Sequence, residues 1–260
     1  SVDVSTLAGW ANLSAGSHDI TIVAKAAGYK DSAPSAAVQV TKAASMPAKG
    51  DIITLDSKQY RVLKTEGTVA EVLAMYDATT SQKFGSSQTY ANSALDRYCN
   101  ATFYNSLSST MQNAIVAKTF QQDEWSWTGG SSGGTGTAIY QGINSSSNQY
   151  RVGLTNMSNG TSINRKCYVL SVQDVIDYLE VTTAMTAADT TLTPTNVWKM
   201  FWNQTSQAST YPWLRSAYAD DSDFAFYADG DRGYLTTDSV GSTGAVRPAF
   251  QIDLSKISWS

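Results

Sequence analysis

Between Ala217 and Asp238 the chain gathers the side chains best suited to chemistry. Asp220, Asp221, Asp223, Asp229 and Asp231 crowd into "DDSDFAFYADGD", Asp238 follows, and Tyr218, Tyr227, Tyr234 and Arg232 are interleaved with them. Carboxylates at this density suggest three chemistries: ligation of a hard cation, hydrolysis by a carboxylate pair, or polar recognition of a ligand. "DGDRG" lacks the spacing of an EF-hand loop, which argues against the first. No glutamate accompanies the aspartates and nothing suggests a carboxyl held protonated, which argues against the second. The third fits the composition. Tyrosine offers broad amphipathic contact at low side-chain entropy cost, small Ser, Gly and Ala let neighbouring loops adapt, and Tyr and Arg are enriched at binding hot spots. The candidate contacts are therefore Ala217, Tyr218, Asp220, Asp221, Asp223, Tyr227, Asp229, Asp231, Arg232, Tyr234 and Asp238.

Covalent catalysis has little to work with. The one histidine, His18, is far in sequence from this cluster, so a Ser/His or Cys/His nucleophile system there is excluded. Cys99 and Cys167 could form one disulfide, but Cys167 lies in the apolar run "KCYVLSV", and buried free thiols are the favoured reading. "TGGSSGGTGTA" lacks the Lys-Ser/Thr ending of a phosphate loop. The expectation is a non-catalytic protein with no metal and no cofactor.

The elements that must position the cluster fall into two parts. "HDITIVAKA" alternates apolar and polar residues as a half-buried strand does, and "AAVQVTKA" is a second strand, so residues 1–43 read as all-β. Residues 44–50 read as a linker and 51–260 as a second, α+β domain. It opens with "DIITL", "KQYRVLKTEG" and "VAEVLAMYD" as three strands. "SALDRYCNATFYNSL" and "SSTMQNAIVAK" have helical spacing, "EWSWTGGSSGGTGTAIYQGINSSSNQY" reads as a long loop or irregular hairpin, and "CYVLS" as a strand. Ser171 and Asp174 form a capping signal for "VQDVIDYLE", and Thr193-Pro194 starts "TNVWKMFWNQ". "YPWLRS", "DFAFYADGDRGYLTT" and "AVRPAFQIDL" return the chain to β structure. The flanks Trp213, Leu214 and Arg215, and Arg247, Pro248 and Phe250, read as scaffold rather than site.

Two resemblances follow from these stretches. "LSAGSHDITIVAKAAGYKDSAPSAAVQV" resembles the last strands of bacterial immunoglobulin-like or fibronectin-like surface modules. "GDIITLDSKQYRVL", "SALDRYCNATFYNSL", "YVLSVQDVIDYL", "WLRS" and "GAVRPAFQIDL", in that order, resemble a bacterial C-type-lectin-like domain distantly related to formylglycine-generating enzymes. Nothing after Cys167 is a cysteine, so the catalysis of those relatives does not carry over. The calcium tripeptides of sugar-binding lectins, Glu-Pro-Asn and Trp-Asn-Asp, are also missing. Domains of this type serve as variable proteins of diversity-generating retroelements. The resemblance implies that a reverse transcriptase copies a template repeat with errors at adenines, so that AAC codons become NNC. An NNC codon never encodes Lys, Glu, Gln, Met or Trp, and these five types are absent from Leu214 to Phe250. That window, residues 214–250, is the expected variable region.

Bulk properties narrow the partners. A net charge of −4 and a pI near 4.9 argue against nucleic acid, which needs a clustered basic patch. No apolar run is long enough to span a bilayer, and the first residues lack a signal peptide's charged and apolar regions. The expectation is an extracellular protein on a bacterial surface or phage particle that recognises a protein or glycan receptor. Two other readings stay open, a carbohydrate-binding module of fixed specificity and a structural tip or spacer of a fibre.

Overall fold

The first strand starts earlier than the apolar alternation of "HDITIVAKA" predicts and ends at Ile20, so Ile22 and Ala24 lie beyond it. β1 (Gly16–Ile20) pairs antiparallel with β2 (Val38–Lys42), with Ser17 opposite Thr41 and Ile20 opposite Val38. The computed structural model describes residues 3–7, 9–10, 13, 16–42, 45–127, 154–180, 194–219 and 221–260. Its contacts divide the chain into Ser1–Met46 and Pro47–Ser260. None of the described residues before Pro47 is buried, and Ile22, expected on a buried face, is 64% exposed beyond the end of β1. The second half of the expected linker belongs to the larger unit. There the Pro47 carbonyl accepts from Thr65 Oγ1 at 2.9 Å and the Gly50 carbonyl from Arg61 at 2.8 Å.

In the larger unit β3 (Ile52–Leu55), β4 (Lys58–Glu66) and β5 (Val69–Ala74) form an antiparallel meander. Asp56 and Ser57 take φ of 46° and 62°, the left-handed pair that a two-residue hairpin turn requires. The far end of the chain completes this sheet. β14 (Ala249–Asp253) lies between β5 and β7 (Ile115–Val116), giving the order β3-β4-β5-β14-β7. The other five-stranded sheet runs β12 (Tyr234–Ser239), β11 (Phe224–Asp229), β10 (Trp213–Tyr218), β8 (Lys118–Trp127) and β9 (Leu154–Arg165). All its pairings are antiparallel except β10 with β8. A small ladder joins β6 (Thr79–Lys83) to β13 (Thr243–Val246). Tyr60, Phe84, Tyr90, Trp125, Tyr168, Phe226 and Phe250 are among the fully buried rings between these layers.

Helices fill the connections. α1 (Ala94–Arg97), capped by Ser93 on the Asp96 N–H at 3.0 Å, runs through a π turn at Tyr98–Phe103 into α2 (Tyr104–Ser106). Leu95, Cys99 and Phe103, four apart, face the core. α3 (Ser109–Ala114) follows. α4 (Val172–Leu179) starts at the Ser171–Asp174 capping box and contacts β8 and β10. α5 (Pro194–Trp202) ends against two arginines: Arg61 donates to the Met200 carbonyl at 3.1 Å, and Arg247 to that of Phe201. These donors satisfy carbonyls that a helix end leaves orphaned. The chain is thus a mixed α+β protein.

Two local expectations need correction. "CYVLS" is buried but is no strand; only Tyr168 bridges Ala249, while the Val169 and Leu170 carbonyls accept from the Arg215 side chain and N–H, both at 2.8 Å. The backbone groups that would extend the ladder are thus used by Arg215. "EWSW", expected in the loop, is the end of β8, and residues 128–150 of that loop lie outside the described residues.

Candidate functional site

The segment of restricted composition is held by buried charge. Arg215, 3% exposed, donates to Asp174 Oδ2 at 2.5 Å and lies 4.2 Å over the Phe120 ring. Lys118 stands 3.6 Å from the same carboxylate and 2.6 Å from Glu71, which also accepts from Tyr168 Oη at 2.6 Å. One strand position on, Ser216 Oγ donates to Asp123 at 2.7 Å and accepts from the Val172 N–H at 2.8 Å. These bonds tie β10 to β8 and to the start of α4. Burial pushes the Asp174 carboxyl up, but Arg215 and Lys118 outweigh it and hold its pKa below the ordinary 3.8. A carboxyl with a lowered folded pKa gives stability that is present above about pH 4 and is lost as pH falls below that value. Asp174→Asn should therefore lower stability at pH 7 and remove about 1 kcal/mol of the loss between pH 7 and pH 3, read by urea unfolding at both.

At the C-terminal flank Arg247 is likewise structural, donating to Asp77 at 2.6 Å with its guanidinium 5.5 Å from the Trp202 ring. Both thiols are buried and unpaired, and burial raises them, Cys167 to about 12.

Between these anchors the expected contact residues separate. Ala217 is fully buried where β10 lies between β11 and β8, opposite Ala225 and Glu124, so it cannot be a contact. Asp229 is also buried, at 2% exposure, and is not the solvated contact its sequence setting suggests. Its carboxylate accepts the Arg232 N–H at 3.1 Å and lies 3.6 Å from the Arg232 guanidinium, closing the β11–β12 turn. Burial pushes this carboxyl up, and Arg232 only partly offsets that. Tyr218 is half-buried and packs edge-on to Phe226 at 6.0 Å. Asp221 and Asp223 are exposed in the β10–β11 turn, where Asp221 accepts the Asp223 N–H at 3.0 Å. That turn lies at the opposite end of β11 from Asp229 and Asp231. Asp220 lies outside the described residues. Tyr234 pairs with Asp229 through the backbone of β12.

Tyr227, Asp229, Asp231, Arg232 and Asp238 do come together, with Thr243, Gly244, Tyr211 and Trp213, around a cleft of about 310 Å³. Trp213, opposite Tyr227 on the neighbouring strand, is 2% exposed, and its Nε1 donates to the Gln82 carbonyl at 2.9 Å. Tyr227 stands edge-on to both Trp213 and Tyr211, each pair 6.0 Å between centroids. Two glycines allow the backbones to close behind these rings. A Cβ on Gly244 would come within 2.7 Å of Trp213 Nε1, and one on Gly230 would meet the Ala208 and Thr210 carbonyls. Asp231 accepts from Tyr211 Oη and from Gln207 Nε2 at 3.3 Å, a partnership that raises the Tyr211 phenol to about 12. Asp238 Oδ1 accepts from the Ser239 N–H at 2.7 Å and Ser242 Oγ at 3.2 Å. Tyr211 and Trp213 were absent from the sequence-based contacts because they precede the compositional window. The signal available was the aromatic pair in "YPWLRS", directly before the strand.

The cleft has the means to bind: rings, carboxylates and an arginine on a rigid sheet. Among the described residues no three of His, Cys, Asp and Glu stand close enough to hold a metal ion. Comparison with known families gives one match, a domain of unknown function, DUF6273, whose model covers residues 67–254. No curated protein and no solved structure matches the chain.

Proposed function

For a chain that belongs to the DUF6273 family, we propose non-catalytic ligand recognition through the cleft beside the β11–β12 turn. One observation carries this reading. Of the residues that line the cleft, all but Tyr211 and Trp213 fall within Leu214–Phe250, the window without Lys, Glu, Gln, Met or Trp. A wall of two aromatic residues outside the window faces a wall drawn from a restricted alphabet. That is the arrangement expected of a surface diversified by a retroelement on a constant frame. The buried anchors at Arg215 and Arg247 favour it, because a face held rigid from behind needs little reorganisation to bind. The two sheets, the capped helix α4 and the closing β14 are compatible with a C-type-lectin-like arrangement. In this reading the protein acts outside the cell, on a bacterial surface or phage particle, and its receptor is a surface protein or glycan. The cleft lining includes no histidine and no cysteine, so a Ser/His or Cys/His nucleophile system is not built from it.

The native locus tests diversification. NNC codons are expected at Tyr227, Asp231, Arg232 and Asp238, with a near-copy of the segment carrying adenines there beside a reverse transcriptase gene. Codons for Tyr211 and Trp213 should lie outside the repeat. Ordinary codons with no template repeat would overturn the diversified reading and leave a cleft of fixed specificity.

A further inference from the structure

The charged lining of the cleft is unbalanced. It holds Asp229, Asp231 and Asp238 but one cation, Arg232, and that guanidinium lies 3.6 Å from Asp229. Asp231 and Asp238 accept hydrogen bonds from neutral donors, a phenol, an amide, a backbone N–H and a hydroxyl. Among the described residues neither forms an ion pair. Among the described residues no three carboxylates stand close enough to hold a metal ion. Two rings, Tyr211 and Tyr227, line the same cleft, and an aromatic face attracts a cation electrostatically. The cleft volume is at the small end of the range for ligand pockets, suited to one side chain rather than an extended chain.

Building on the reading of this cleft as a recognition site, we propose that it takes the guanidinium or ammonium group of a basic side chain on a protein partner. Asp231 and Asp238 supply the counter-charge and Tyr211 and Tyr227 the ring surfaces. The buried Asp229, also in the lining, is already met by Arg232, so the unmatched charge is that of Asp231 and Asp238. A neutral hydroxylated ligand would use the rings and the carboxylate acceptors but would leave the excess charge uncompensated.

The test is an NMR titration of the isotope-labelled full chain with the peptide acetyl-Gly-Arg-Gly-amide and its citrulline counterpart, which keeps the shape and removes the charge. The expected result is saturable shifts at the Trp213 Nε1–H and the Gly244 N–H. The citrulline peptide should bind at least about tenfold more weakly. The double variant Asp231→Asn/Asp238→Asn, with an otherwise unchanged spectrum, should lose that preference. Equal binding of the two peptides, shifts away from the cleft, or no saturable shift would each overturn the proposal. Cleft shifts produced by a neutral disaccharide but not by the arginine peptide would overturn the cationic ligand while leaving recognition by the cleft intact. The locus result separately decides whether the face is diversified.

Discussion

Arg215→Ala is expected to lower the unfolding free energy by about 3–5 kcal/mol, the cost of leaving a buried charge without its partner. The guanidinium is enclosed by Phe120 and Tyr168, and Asp174 and the Val169 carbonyl take its N–H groups. Its removal leaves Asp174 with the Ser171 N–H and the more distant Lys118, and opens a cavity between β8, β10 and α4. Urea unfolding at pH 7 measures the loss. The double variant Arg215→Met/Asp174→Leu should recover much of it, since an apolar pair of similar volume often replaces a buried ion pair at little cost. Stability equal to wild type in Arg215→Ala would mean that the segment is held by something other than this network.

Trp213→Ala should cost a similar amount, about 3–5 kcal/mol, because a large ring at 2% exposure leaves a cavity that a sheet cannot collapse. Phe84, 5.7 Å away, and Tyr227, 6.0 Å away, lose their partner, and the Gln82 carbonyl loses its donor. The cleft loses its back wall as well, so binding should fail together with stability. Trp213→Phe separates the two effects. It keeps an aromatic ring of smaller size and removes the N–H, for a loss of about 1–2 kcal/mol, and the cleft should survive. Thermal unfolding of both variants, followed by the arginine-peptide titration of the Phe variant on its Gly244 signal, distinguishes floor from scaffold.

Local signals in the sequence carried the elements whose cause is local. Ser171 and Asp174 announced α4 because a capping box needs only residues three apart, and the box forms. The stretches "YPWLRS" and "DFAFYADGDRGYLTT" read as strands, and β10 and β11 form there. That reading could not say which of their side chains reach solvent, because β11 lies between two strands in a sheet with packing on both faces. Ala217 and Asp229 were expected at the surface for that reason, and both are buried. A short polar stretch also looks like one site in one dimension. The β11 strand carries its two turns to opposite ends, so Asp221 and Asp223 part company with Asp231 and Arg232. Tyr211 could join the site only through the pairing of β10 with β11. "CYVLS" misled because an apolar run of that length fits a strand or a buried irregular segment equally well. Its backbone partners sit on Arg215, far along the chain.

The position of β14 bears on how the chain is made. It is an inner strand of its sheet, flanked by β5 and β7, yet it is translated after the whole of β10 to β12. Residues 69–74 must therefore wait for residues 249–253 before that sheet can close. A shifted reading frame or premature stop anywhere in the restricted segment deletes this strand and leaves the edge of β5 unpaired, an open invitation to aggregation. Substitutions at the cleft positions Tyr227, Asp231, Arg232 and Asp238 lie outside the strand and leave it intact. Under the proposed diversification, folding would act as a proofreading step: chains altered only at cleft positions would be kept, and chains that lose their frame would be exposed to quality control.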